Sequence, residues 1–162
     1  MATHDRTQGF LWRFAPGPRV VRHLMNIWGP FRGAGIRVRE IAPDWRRVKV
    51  ELRMRFNNRN YVGTHFGGSL FAMADPFYML MVMHNLGRDY IVWDKAGAVR
   101  FLKPGRGTVT ADFELTEAML EDVRAKAVPG VKYEPTYSVD VRDAEGTVVA
   151  TVEKTLHIRR KA

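Results

Sequence analysis

Residues 66–87 form an almost unbroken apolar run in which Asp75 is the only formally charged residue. An isolated carboxylate in such a run is expensive to desolvate, so it is kept with a partner or for a task. A helix this free of charge must be covered on every side, either by a sheet wrapped around it or by a second subunit laid against it. The run has nearly the length of a membrane span, but Asp75, Pro76, His84 and Asn85 are costly in lipid. The expectation is therefore a buried core helix and no membrane span. Pro76 removes one helical hydrogen bond, which predicts a kink near Asp75. Gly67 and Gly68 put unblocked backbone N–H groups at the start of the same helix.

The rest of the chain reads as one domain, with residues 1–16 a flexible tail and 17–162 the folded unit, a size that buries a real core. Val20, Val21, Leu24, Ile27 and Trp28 fall at helical spacing, and Gly29-Pro30 is read as the stop. Strands are expected over 33–41, 46–56, 90–103, 108–116, 133–142 and 147–159, with a short helix over 117–128 ended by Pro129-Gly130. The order is helix, two strands, long helix, then mostly strands. That is an α+β layout, an antiparallel sheet with one helix long enough to lie across it. Residues 1–13 are short of apolar side chains and do not read as a signal peptide, so a cytoplasmic location is the expectation.

The net charge of +9 predicts attraction to anions, which nucleic acid, a phosphorylated cofactor or an acidic membrane surface would all satisfy. Over 46–56, however, the cations alternate with Val48, Val50, Leu52, Met54 and Phe56, as the outer face of any strand would. No zinc finger, RNA-recognition signature or helix-turn-helix accompanies the charge, so no nucleic-acid partner is expected. With no cysteine, the chain has no disulfide, no thiolate metal site and no cysteine nucleophile. No His/Asp/Glu set has metal-ligand spacing, and no metal is expected.

The chemistry-bearing stretch is Asn60-Tyr-Val-Gly63-Thr-His65-Phe66-Gly67-Gly68, with Asp75 seven residues beyond the second glycine. It resembles the Asn-x-x-Gly-x-x-His-Gly-Gly signature of hotdog-fold acyl-CoA thioesterases of the phenylacetate-pathway type. Those carry a catalytic Asp or Glu two helical turns past the glycines. Val99-Arg100-Phe101-Leu102-Lys103-Pro104-Gly105 resembles the strand and turn that follow in such proteins. The resemblance implies a hotdog fold, in which a curved antiparallel sheet wraps a long central helix. It also implies hydrolysis of an acyl-CoA or acyl-carrier thioester at a site between two subunits of a homodimer, which can pair into a homotetramer. In that reading Asp75 is general base or nucleophile, and the amides of Gly67 and Gly68 hold the thioester oxygen. A carboxylate among apolar walls grows more basic, which suits this task, whereas the structural alternative has Asp75 satisfying backbone groups at the kink.

One position departs from the signature. Phe66 stands where the family has histidine, and His65 lies one residue earlier, about 100° away on a helix of 3.6 residues per turn. The direction of the His65 ring is therefore open. Asn60 is read either as orienting water or substrate or as a turn residue. Phe66 and Phe71 are read as core packing or acyl-pocket lining, and Arg100 and Lys103 as cations near the mouth that suit the phosphates of coenzyme A. No cofactor beyond the substrate's own coenzyme A is expected. The competing reading, motivated by Phe66, is an acyl-CoA- or lipid-binding module without turnover.

Overall fold

The computed structural model describes residues 16–161, so the tail expected over 1–16 falls outside the described residues except for Pro16. Helices α1 (Pro18–Ile27) and α2 (Gly29–Ala34) lead into strands β1 (Ile36–Ile41) and β2 (Arg47–Arg53). The apolar run supplies α3 (Gly67–Ala72) and α4 (Phe77–Leu86). Then follow β3 (Tyr90–Phe101), β4 (Thr108–Glu114), α5 (Glu117–Lys126), β5 (Lys132–Tyr133), β6 (Thr136–Arg142) and β7 (Val148–Arg160). The strands form one antiparallel sheet in the order β1-β2-β4-β6-β7-β3, with β5 also on β7.

Period-2 alternation decides which side of the sheet faces inward. Val48, Val50 and Leu52 of β2, Val109, Ala111 and Phe113 of β4, and Val152 and Leu156 of β7 are all buried. The intervening Arg47, Lys49, Asp112 and Glu114 face out. Against the inner face lies α4, burying Phe77, Tyr78, Met81 and Val82. Its Phe77 ring sits 5.1 Å from Phe113 and 6.2 Å from Phe31 of α2, and Tyr78 sits 5.1 Å from Tyr137 of β6. A sheet packed around a central helix in this way is the expected α+β hotdog architecture.

The central helix is broken, not merely kinked. Pro76 has no N–H to offer the Ala72 carbonyl, which instead accepts from Asp75 N–H at 3.3 Å in a tighter turn. Ala74 N–H likewise bonds to the Phe71 carbonyl at 3.0 Å, and α4 begins afresh after Pro76. Other differences have equally local causes. Gly29-Pro30 opens α2 rather than stopping helical structure, because a proline in the first turn gives up no hydrogen bond. The strand expected from residue 33 therefore starts at Ile36, after Gly35 closes α2 with φ 84°. The strand expected over 133–142 is split at Glu134-Pro135, where the Pro135 carbonyl accepts from Leu156 N–H.

The two edges of the sheet are unlike. Along β1 the side chain of Asn26, on α1, both donates to the Val38 carbonyl (2.9 Å) and accepts from Val38 N–H (2.8 Å), capping that edge as a neighbouring strand would. At the other edge the twelve residues of β3 pair only with β7, and no described segment covers their outer side.

Candidate active site at the helix break

Asp75 occupies the break between α3 and α4, and its carboxylate is half-exposed, at 52%. Its Oδ1 accepts from Lys154 Nζ at 2.6 Å. The lysine, on β7, is only 2% exposed, and its Nζ lies 5.2 Å from the centre of the Phe71 ring and 3.3 Å from Asp94 Oδ1 on β3. That second contact is an ion pair without hydrogen-bond alignment. Burial pushes the Asp94 carboxyl up from its ordinary value, and the Lys154 ammonium opposes the shift only in part. The apolar walls expected around Asp75 are thus absent on one side. The carboxylate meets solvent there and a buried ammonium on the other.

Gly67 and Gly68 are the first two residues of α3, so the helix offers no carbonyl to their N–H groups. With six residues, α3 has a small dipole, and any oxyanion would be held by these amides rather than by the helix as a whole. The glycines also serve packing. A Cβ on Gly67 would lie 2.7 Å from the Phe101 ring, and one on Gly68 2.4 Å from the Phe66 ring. Both phenylalanines remain more than half exposed, and with Leu102 they make an apolar rim beside the start of α3.

His65 points away from the helix break. Its ring is 3% exposed and Nε2 lies 3.1 Å from the Gly107 carbonyl, which can only accept, so Nε2 carries the proton. Burial pushes the imidazole below its ordinary value, leaving a neutral ring whose Nδ1 is an acceptor without a partner among the described residues. Asn60 is committed to the loop. It accepts from Thr64 N–H at 2.9 Å and donates to Thr64 Oγ1 (2.8 Å) and to the His65 carbonyl (3.1 Å). Both residues, with Gly67, Phe101 and Lys103, line a cavity of about 490 Å³ at the start of α3.

The expected site residues therefore fall into two groups. Asn60, His65, Gly67 and Lys103 meet around the cavity, whereas Asp75 and Phe71 meet around Lys154. Phe66 covers Gly68 on the rim, and Arg100 is held in a pair with Glu153 at 2.8 Å on the neighbouring strand. His84, on α4, stacks on Trp45 with ring centres 3.5 Å apart, its Nδ1 donating to the Leu80 carbonyl. Sequence reasoning missed Lys154 and Asp94. A signal for the lysine was present: it stands in the inward phase of β7, where its neighbours Ala150, Val152, Leu156 and Ile158 are all apolar and buried.

The fold finds its likeness in solved structures that cover most of this chain. PA5026 of Pseudomonas aeruginosa, described as a protein of unknown function and probable thioesterase, superposes with TM-score 0.74 at 20% identity, over 88% of this chain and 95% of its own. The thioesterase HI1161 of Haemophilus influenzae gives 0.62 at 16% identity, over 86% and 88%. The PaaI protein of the E. coli phenylacetic acid degradation operon gives 0.61 at 16% identity, over 89% and 92%. No curated protein matches the sequence. One family model, described as Domain of unknown function (DUF4442), matches residues 17–158.

Proposed function

Since the chain belongs to the family described as Domain of unknown function (DUF4442), whose description assigns no chemistry, we propose from the site itself that it hydrolyses acyl thioesters. The observation that carries this reading is the half-exposed carboxylate of Asp75, standing open at the helix break on the segment that begins with the Gly67 and Gly68 amides. Asp75 takes a proton from water as the water oxygen bonds to the thioester carbon. Charge gathers on the carbonyl oxygen, where the two glycine N–H groups receive it. The C–S bond then breaks, the proton passes from Asp75 to sulfur, and a carboxylic acid and a free thiol leave. The likeness to thioesterases of the same fold supports this reading.

The reading requires two subunits. Gly68 and Asp75 are separated by seven residues, of which α3 carries the chain roughly 6 Å from Gly68 to Ala72 at 1.5 Å rise per residue before the break turns it. In this reading the carbonyl rests on the glycine amides of one chain and its attacking water on the Asp75 of another. A second copy that brings its own Asp75 to the first copy's glycines closes the gap. The uncovered edge of β3 suits such a pairing, since an exposed strand edge is a template for another chain, whereas Asn26 blocks the β1 edge. A homodimer through β3, or a tetramer of two such dimers, is the assembly proposed. Lys103 and Arg106 beside the cavity suit the phosphates of coenzyme A or an acidic carrier, while Arg100 is tied to Glu153. No cofactor is needed.

A second reading, an acyl-binding module without turnover, is favoured by the Phe66 and Phe101 rings packed on the two glycines whose amides the reaction uses. Free-thiol release from a panel of acyl-CoAs, short to long and aliphatic to aromatic, separates the two. Turnover on some members, lost by at least about 100-fold in Asp75→Ala, is the expected result. Tight acyl-CoA binding without thiol release would establish the module instead.

A further inference from the structure

Lys154 occupies a position that the sheet otherwise gives to apolar side chains. Val152 and Leu156, on either side in the same phase, are fully buried. In register with it are Gly97 on β3 and Tyr137 on β6. A Cβ on Gly97 would lie 2.7 Å from Phe71 Cζ and 3.3 Å from Lys154 Cδ. The missing side chain at residue 97 therefore makes the slot through which the lysine stem passes under the Phe71 ring to reach the helix break. Two carboxylates, Asp75 and Asp94, receive the ammonium there.

Stability does not explain this choice of residue. Burying an ion pair gains little over apolar packing of the same volume, because desolvation offsets most of the attraction. The pairing is also one-sided. Lys154 holds Asp75 Oδ1, while Oδ2 has no partner among the described residues and the carboxylate is half-exposed.

We infer that Lys154 is a positioning residue for Asp75, clamping Oδ1 so that Oδ2 is presented to the water that attacks the thioester, with Asp94 and the Phe71 ring holding the ammonium in place. This inference rests on the thioesterase reading. The clamp opposes rotation about the terminal torsion of Asp75, which is otherwise broad and soft. It thereby keeps the reacting oxygen in line, and such orientation accounts for a large share of many enzymatic rates.

The test uses Lys154→Met, which keeps the length and apolar stem and removes the charge. Turnover should fall about 10- to 100-fold in kcat with KM within about threefold. Because the chain has no cysteine, Lys154→Cys can be aminoethylated in denaturant at that single thiol and refolded, which rebuilds a lysine-like ammonium and should restore kcat. Asp94→Asn, which removes one arm of the clamp, should give a smaller loss in the same sense. A kcat that aminoethylation of folded Lys154→Cys leaves unrestored overturns the inference. So does an unchanged kcat in folded Lys154→Met while Asp75→Ala is inactive, an outcome that leaves the thioesterase reading standing. A wild-type protein silent on every thioester overturns that reading, and the role of Lys154 falls with it.

Discussion

His65 is a buried histidine in a chain whose other charged groups mostly face solvent, and its burial has a pH signature. Burial pushes its imidazole below the ordinary value, so the folded ring stays neutral where the unfolded one takes up a proton. Below about pH 6.5 the unfolded chain then binds more protons than the folded one, and stability falls as pH falls. His84, also pushed down by burial, contributes in the same direction. Melting temperature measured from pH 7.5 to pH 5 should decline, and His65→Gln, which keeps a donor for the Gly107 carbonyl, should flatten the decline without abolishing it. An unchanged slope in that variant would show that His65 takes no part. At this scale the sequence singles out unusual residues without showing what they touch. Asp75 stood out because its neighbours are apolar, but its partner Lys154 lies 79 residues away and only the packing of the helix break against β7 joins them. The turn chemistry of Asn60 was one of two readings open from sequence, and the loop geometry selects it.

Among the elements, the break between α3 and α4 carries the most consequence, and a single proline accounts for it. With an N–H restored at residue 76, the Ala72 carbonyl regains its helical partner, the two helices join, and Asp75 turns with the helix away from Lys154. Pro76→Ala should therefore raise the helical signal in far-UV circular dichroism, leave melting temperature level or higher, and cut thiol release at least about tenfold. Full activity from a fused helix would show that the break is incidental. The break was legible because proline acts on its own turn. The sheet was legible too, since alternation in 46–56 and 108–116 predicts β2 and β4 within a few residues. Less legible were α2 and the split between β5 and β6. Gly29-Pro30 stops one helix and opens another equally well, and Glu134-Pro135 divides a strand whose two halves both pair with β7.

For the molecule as a whole, the proposed site makes sense only as a shared one, and sharing has a quantitative consequence. Proline at the first position of a helix is well tolerated and removes the amide. Gly67→Pro should therefore abolish an oxyanion donor while α3 survives, the exposed Phe101 ring moving aside. Asp75→Ala removes the carboxylate. Each homodimer is then inactive at both sites, one lacking its donor and the other its base. In a mixed dimer, one site joins the intact Gly67 of the Asp75→Ala chain to the intact Asp75 of the Gly67→Pro chain, and the other site lacks both. If equal amounts are unfolded together and refolded, half the dimers are mixed and each carries one working site of two, so thiol release should recover to about a quarter of the wild-type level. The wild-type chain should run in light scattering at twice its 18.6 kDa, or at four times for a tetramer. A monomer, or an inactive mixture from two folded variants, would overturn the shared site and leave Asp75 and the glycines to act, if they act at all, within one chain.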